Sequence, residues 1–249
     1  LYSAPQVERL RLIKRLMDQG FRPGRLMKVD DAELLALSAG PLHAQAAPDD
    51  ATLTEIIGLV RSNHVGALRS ALTQTLHRQG LQRFVLETVP LLNTAVGDAW
   101  MRGQIEVFEE HLYTEQMQTL LRQAIIALPS GPGRPRVMLT TVSDEQHVLG
   151  LLMSECLLTL EGANCISLGT QTPLADIARA ARAHAVDIVA LSFSSAFPTR
   201  QAAPLLAQLR TMLPDTIALW AGGAGGARNA EIDGVRIIDS LAGILDELA

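Results

Sequence analysis

Hydrophobic positions repeat at helical spacing in the first half of the chain and cluster in short runs in the second half. Near the start, apolar residues recur every three or four positions and predict a helix over residues 5–19. Asp30 or Asp31 can cap a short second helix that runs through Leu37. The first 40 residues therefore form a small helical segment.

A longer helical region is predicted over residues 51–128. Its apolar stripes are interrupted near Asn63, Gly80 and Gly103, which are residue types that end or break helices. Four helices joined by short turns are the simplest interpretation, and such helices pack as an antiparallel bundle.

The last part of the chain alternates short apolar runs with helical patterns, which predicts a parallel, doubly wound α/β sheet. The predicted strands cover 137–140, 165–168, 186–193, 216–220 and 235–238, and the predicted helices cover 147–160, 174–184, 199–212 and the stretch from 241. Ligands of such sheets bind at the carboxyl ends of the strands, so the loops that follow them are the candidate sites.

Two stretches of loop composition, 41–50 and 129–135, divide the chain into three segments. We therefore expect a short helical segment over 1–40, a helical bundle over 51–128 and an α/β domain over 136–249.

Composition narrows the class of protein. The chain has 249 residues, of which 48% are hydrophobic and 19% charged, with a net charge of −5. These values exclude disordered, collagen-like and disulfide-dense chains, and no apolar run reaches the roughly 18 to 20 residues of a membrane span. Cys156 and Cys165 are the two cysteines, best interpreted as small buried hydrophobes in a protein of the reducing cytoplasm.

The charge is uneven along the chain. Residues 1–28 carry seven Lys or Arg against two Asp or Glu. A basic end on an acidic body fits contact with a polyanion, although a solvated helix face is the simpler alternative for a short segment.

The loops after the predicted strands contain residues with binding chemistry. After the first strand come Glu145, His147 and Gly150. A loop histidine can coordinate a metal through one ring nitrogen while a carboxylate two residues away holds the other. Alone, such a histidine is more often structural.

The later loops add small residues. Ser192 and Ser194 lie at the end of the third strand and offer small hydrogen-bonding walls, while Gly222 and Gly223 follow the fourth and allow close backbone approach. A glycine pair is usually a turn, and phosphate binding at 222–226 is the generic alternative. No Walker lysine follows it, which weakens that alternative.

Together, Glu145-x-His147-x-x-Gly150, Ser192-x-Ser194 and Gly222-Gly223 occur at intervals that resemble the cobalamin-binding signature. The resemblance implies base-off, His-on binding of cobalamin, with His147 as the lower axial ligand of cobalt and Glu145 as its carboxylate partner. It also implies that Ser192, Ser194, Gly222 and Gly223 line a slot for the displaced nucleotide tail, and that Gly169 passes beside the corrin.

The helical region contains a second motif. Trp100 precedes the break at Gly103, and Val107, Glu110 and His111 share one face of the next helix. Alone, these would be a core tryptophan and a surface Glu–His pair. With the sheet motif they resemble the cap of light-sensing, adenosylcobalamin-dependent regulators of the CarH/LitR type, which implies that the bundle covers the upper corrin face and encloses the adenosyl group.

One residue departs from that family. The light sensors carry a histidine after the tryptophan, able to bind cobalt after illumination, and this chain has Met101. A thioether suits oxidised cobalt less well than imidazole. We hypothesise that the chain either lacks a stable bis-histidine photoproduct or uses His111.

The first segment resembles the end of a MerR-type winged-helix domain, just after the wing. The helix-turn-helix that precedes this part in the family is absent from the sequence. The resemblance thus implies that operator DNA is contacted through that missing N-terminal domain.

The resemblance implies a transcriptional regulator that senses light or cobalamin and is not an enzyme. Its adenosyl form would oligomerise as a dimer or tetramer and bind DNA, and light would release the DNA. The alternatives are a corrinoid shuttle protein of a methyltransferase system, and a structural regulator in which the motif has decayed.

Overall fold

A computed structural model of the chain describes residues 26–38, 50–128, 134–225 and 232–248, together with Gln6, Arg9, Leu10 and Ile13. The chain forms two compact units, one from residues 1–78 and 87–116 and the other from residues 79–86 and 117–249. Most of the helix predicted over 5–19, and most of both predicted linkers, lie outside the described residues. Within the described ranges, no helix is long and apolar enough to cross a membrane.

In the helical half of the chain, Asp30 caps helix α1 by accepting a hydrogen bond from the Glu33 N–H at 2.8 Å. The predicted breaks are confirmed, because Asn63, Gly80 and Gly103 all have positive φ. The helices are α1 (Asp31–Ser38), α2 (Asp50–Arg61), α3 (Val65–Gln79), α4 (Leu81–Arg83, a π-helical segment at Phe84–Thr88, then Val89–Met101) and α5 (Val107–Ala127).

Within the first unit, α4 contacts both α2 and α5. Helix α2 packs against α4, and Tyr113 of α5 donates a hydrogen bond to Asn93 Oδ1 of α4 at 2.7 Å. Burial raises the pKa of Tyr113, so its hydroxyl stays protonated. The buried residues include Ile56, Val60, Leu68, Leu72, Leu92 and Val96. The antiparallel four-helix bundle and the MerR-type segment stay predictions.

The second unit contains a five-stranded parallel sheet in the order β2-β1-β3-β4-β5, which confirms the predicted doubly wound α/β fold. The strands are β1 (Arg136–Val142), β2 (Asn164–Thr172), β3 (Ile188–Ser192), β4 (Ala218–Gly222) and β5 (Val235–Ile238). The helices between and after them are α6 (Leu149–Leu160), α7 (Leu174–Ala183), α8 (Thr199–Met212) and α9 (Leu241–Leu248).

The sheet is covered on both faces, because side chains alternate along each strand. On one face Met138 and Val189 pack against α7 and α8. On the other face Leu139 and Trp220 pack against α6 and α9. The strand order reverses between β1 and β3, so the crevice at their carboxyl ends is where this topology places a ligand.

Strand β2 is longer than predicted, and this corrects the position of Gly169. The predicted strand ends at Leu168, whereas β2 continues to Thr172 and carries Gly169 inside the strand. Pairing with β1 shifts register on both sides of Thr140, and Gly169 and Gln171 both have positive φ. The polar end of β2 pairs through its backbone, which a search for apolar runs does not detect.

Two further element boundaries differ from the prediction by about two residues. Strand β4 ends at Gly222, so this glycine is the last strand residue and not part of the loop. Helix α6 begins at Leu149, so His147 precedes the helix that was expected to include it. The cause is local: Asp144 has φ +68°, and the Glu145 side chain accepts the backbone N–H of His147.

Candidate functional site

The loop between β1 and α6 is built around a buried carboxylate. Glu145 is 1% exposed, and its backbone N–H donates to the Val142 carbonyl at 3.2 Å. The positive φ of Asp144 makes the tight turn after β1, a conformation that Asp and Asn adopt more readily than most residues. This turn directs the Glu145 side chain into the protein interior.

Four donors converge on the two oxygens of Glu145. Its Oε1 accepts from the backbone N of His147 at 2.9 Å and from His147 Nδ1 at 2.8 Å. Its Oε2 accepts from the backbone N of Ser194 at 2.7 Å and from Ser194 Oγ at 2.8 Å. Burial opposes ionisation, but these hydrogen bonds outweigh it and lower the pKa of Glu145 to about 2.

The carboxylate determines which nitrogen of His147 is free. An ionised carboxylate only accepts hydrogen bonds, so in the neutral ring Nδ1 carries the proton and Nε2 carries the lone pair. The His147 side chain is 50% exposed, and Ser194 Oγ lies 2.9 Å from its Nδ1. The site therefore holds an oriented imidazole whose unprotonated nitrogen can bind a metal.

This contact spans the crevice between β1 and β3. Glu145 and His147 follow β1, whereas Ser194 follows β3, 49 positions after Glu145. The sequence predicted all three residues but assigned Ser194 to the wall of the tail slot. The structure adds a contact of Ser194 with Glu145 and His147, while its contact with a tail stays a prediction.

Thr141 is a buried residue of this site that sequence reasoning missed. Its hydroxyl donates to the Glu145 carbonyl oxygen and accepts from the Gln171 backbone N at 2.8 Å. It thus links the irregular end of β2 to the loop between β1 and α6, here called the His147 loop. The one available signal was a polar pair, Thr140-Thr141, at the end of an otherwise apolar strand.

Gly150, Ser192 and Gly222 also come together, on the α6 side of the sheet. Ser192 and Gly222 are register partners in β3 and β4. A Cβ on Gly150 would lie 2.9 Å from Ser192 Oγ, so the glycine allows α6 to start close to β3. Their roles around a nucleotide tail stay predictions.

The glycines after β4 lie too close to a neighbouring loop to carry a side chain. Gly223 has φ +98°, and a Cβ there would collide with the Phe193 carbonyl oxygen. Gly225 would collide with the Ser194 carbonyl in the same way, and its N–H donates to the Phe193 carbonyl at 3.1 Å. Packing of two loops thus requires these glycines even without a ligand.

Gly169 is different, because its Cα faces open space. No atom lies within 4 Å of the position that a Cβ would take, although φ is +77°. Its predicted position beside a bulky ligand is compatible with this space and stays a prediction.

The helical candidates lie in the first unit. Trp100 is partly buried at the end of α4, and Val107, the first residue of α5, is 48% exposed. Glu110 accepts from Thr114 Oγ1 at 2.7 Å, and its Oε2 lies 3.6 Å from His111 Nε2 with the His111 side chain 71% exposed. The three α5 residues are thus partly or largely accessible, and the contact of all four residues with an adenosyl group stays a prediction.

The cysteines behave as the sequence analysis expects. Both are free thiols; Cys156 is buried and Cys165 is partly buried. Burial raises the pKa of Cys156 to about 12 and that of Cys165 to about 11. Neither thiol is activated as a nucleophile.

Comparison with known proteins supports the resemblance predicted from the motifs. The chain is 33% identical over 144 residues to the HTH-type transcriptional repressor CarH of Myxococcus xanthus, a match covering 58% of this chain and 48% of CarH. It is 33% identical over 125 residues to the repressor CarA of the same organism, covering 50% of this chain and 43% of CarA. The chain thus spans about half the length of the curated relatives it matches, and the predicted similarity to CarH-type regulators is confirmed.

The fold has a solved counterpart. The monomethylamine corrinoid protein of Methanosarcina barkeri superposes with a TM-score of 0.62 at 14% identity, covering 81% of this chain and 98% of that protein. This similarity shows a shared fold. No protein-family model matches the chain.

Proposed function

We propose that the chain is the cofactor-binding part of a cobalamin-dependent transcriptional repressor of the CarH type. The observation that carries the proposal is the Glu145–His147–Ser194 network, which leaves His147 Nε2 with a lone pair on a half-exposed ring. Sequence similarity to two named repressors supports the regulatory role.

The residues present fit cobalamin. A neutral imidazole is a suitable nitrogen ligand for cobalt, and Glu145 orients it by accepting a hydrogen bond from Nδ1–H. Gly169 borders open space, and the Ser192–Gly222 pair lies on the same sheet edge. His147 would bind cobalt in the base-off form, with Gly150, Ser192, Gly222 and Gly223 around the tail.

When bound, adenosylcobalamin supplies a light-sensitive cobalt–carbon bond. We assign Trp100, Val107, Glu110 and His111 to the cover of the adenosyl group, so that its presence or absence biases the helical unit. The chain itself turns over no substrate in this proposal. Its proposed partners are operator DNA, contacted through an N-terminal domain, and further copies of the same chain. The proposed location is the cytoplasm.

The decisive experiment is a visible spectrum of the protein with adenosylcobalamin, before and after green light, together with gel filtration. We expect a base-off spectrum that His147→Ala abolishes and that His184→Ala, a change at an exposed histidine of the same unit, leaves intact. Light should change the elution volume. A wild-type protein that stays colourless would refute the proposal.

The same experiment separates the repressor from a corrinoid shuttle. A shuttle would bind methylcobalamin tightly, transfer its methyl group to a partner and keep its size under light. The fold similarity to a corrinoid protein is compatible with both functions, but the identity of 33% is to repressors. We therefore favour the repressor.

A further inference from the structure

A cavity of about 320 Å³ opens beside the candidate site, on the sheet face covered by α7 and α8. Its lining is half apolar and half polar. The apolar residues are Val142, Leu174, Pro204 and Leu205, and the polar ones, here called the rim groups because all four are exposed, are Ser143, Asp144, Arg200 and Gln201. An apolar pocket with a few polar groups at its rim is typical of a small-molecule subsite.

The rim groups are uncommitted. Within the part of the chain that the structure describes, the side chains of Asp144 and Arg200 form no ion pair or hydrogen bond, and neither do those of Ser143 and Gln201. One strong acceptor and one strong donor therefore border the same apolar cavity.

This pairing selects a ligand chemistry. A primary carboxamide on a short aliphatic stem offers a carbonyl oxygen to Arg200 and an N–H to Asp144. A carboxylate in the same place would meet the negative charge of Asp144, and an ammonium would meet the positive charge of Arg200. A neutral amide offers one group to each of the two rim charges.

The position of the cavity identifies the source of the amide. Ser143 and Asp144 form the turn that leads directly to Glu145 and His147. The corrin ring carries primary carboxamides on short stems around its edge, and a ring held by His147 would bring its edge near this turn. We propose that the cavity receives one carboxamide side chain of the corrin, an inference that rests on the proposed function.

The cavity would thereby orient the ring about the bond to His147. A single axial ligand leaves rotation about that bond free, whereas a second attachment at the ring edge restricts it. The asymmetry of one acceptor and one donor makes the attachment specific for an amide.

Cobalamin monocarboxylates, in which one carboxamide is replaced by a carboxylate, test this directly. Dissociation constants are measured by spectral titration for cobalamin and each monocarboxylate isomer, with the wild type, Asp144→Asn and Arg200→Gln. Asparagine tolerates the positive φ of Asp144, so the turn is retained. Arg179→Gln, at an exposed arginine of α7, is the matched control.

We expect one isomer to bind the wild type about tenfold more weakly than cobalamin, because its carboxylate would lie beside the negative charge of Asp144. Asp144→Asn should restore most of that loss for the same isomer, and Arg200→Gln should weaken unmodified cobalamin severalfold. Arg179→Gln should change neither value.

Equal binding of all isomers to the wild type would overturn the subsite while leaving the proposed function intact. Failure of the wild type to bind any form would overturn both. A free carboxamide is the other source of the same chemistry: if propionamide alone raises the melting temperature of the wild type but not of Asp144→Asn, and no isomer is discriminated, the corrin assignment is wrong.

Discussion

The chain contains two Glu–His pairs, one in each compact unit, and they differ in almost every physical respect. At the sheet edge, Glu145 is 1% exposed and holds His147 Nδ1 at 2.8 Å. On α5, the side chains of Glu110 and His111 are 31% and 71% exposed, and their nearest atoms lie 3.6 Å apart. The same two residue types thus form a built site in one place and a loose surface pair in the other.

The two pairs differ because hydrogen-bond donors from two loops converge on Glu145. Glu145 accepts from two residues on two loops, and these bonds keep it ionised despite its burial. Glu110 is bonded along its own helix by Thr114. The sheet edge is therefore organised before a ligand arrives, whereas the α5 pair is bonded only along its own helix in the part of the chain that the structure describes.

The largest expected effect is on folding and compares two glycines. Gly223→Ala should lower the free energy of unfolding by about 3 kcal/mol or more, because it combines a positive φ with a backbone collision. Gly58→Ala on α2 meets no atom within 4 Å and should raise stability by about 0.5–1 kcal/mol. Urea unfolding measures both. Equal effects would mean that the sheet edge is no more tightly built than the helices.

The second prediction compares the two glutamates. Glu145→Ala should weaken cobalamin binding by about 10- to 100-fold, because His147 loses the partner that orients it. Glu110→Ala should leave the base-off spectrum unchanged, because Glu110 is bonded to Thr114 along its own helix, whereas the partners of Glu145 are His147 and Ser194. Spectral titration gives both constants. An equal loss in the two variants would contradict the distinction between a built and a loose pair.

The third prediction compares two threonines. Thr141→Val should lower the free energy of unfolding by about 1–3 kcal/mol, because the Glu145 carbonyl and the Gln171 N–H lose their shared buried partner. Thr94→Val, at an exposed position whose hydroxyl bonds back along its own helix, should be nearly neutral. A neutral Thr141→Val would show that β2 does not support the His147 loop.

The last prediction is a pH dependence. The pKa of Glu145 is lowered from 4.5 to about 2 in the folded chain, so its ionisation stabilises the fold above pH 4.5, and this stabilisation is lost as the pH falls toward 2. The stability difference between the wild type and Glu145→Gln should be constant above pH 4.5 and shrink below it. Urea unfolding at stepwise lower pH measures the difference. A difference that grows on acidification would contradict the ionised carboxylate.

Much of the fold could be predicted because apolar periodicity reports local structure directly. The prediction for α8 over 199–212 and for β5 over 235–238 matches the structure residue for residue. The end of β2 was missed because its polar residues pair through the backbone, which leaves no apolar pattern. The start of α6 was predicted two residues too early. The Glu145 side chain accepts a hydrogen bond from the His147 backbone N–H, and His147 lies before the helix.

The candidate site was predictable as a set of residues but not as a set of contacts. The spacing of Glu145, His147 and Ser194 identified the members through a resemblance, and the parallel sheet placed their loops on one edge. Two contacts could not be predicted: the hydrogen bond from Ser194 to the Glu145 carboxylate, and the support that Thr141 gives to the loop between β1 and α6. Both depend on side-chain directions near two register shifts in the pairing of β1 with β2. The cavity under Asp144 has no sequence signal at all.

By itself, the sequence determined the alternation of strands and helices, the turns at glycine and asparagine, and the residue types able to bind cobalt, because each depends on neighbours along the chain. Tertiary structure decided which histidine is oriented, which carboxylate stays ionised when buried, and which glycines serve packing. Those properties arise where β1 and β3 lie side by side, and residues 49 positions apart meet there only once the sheet has formed.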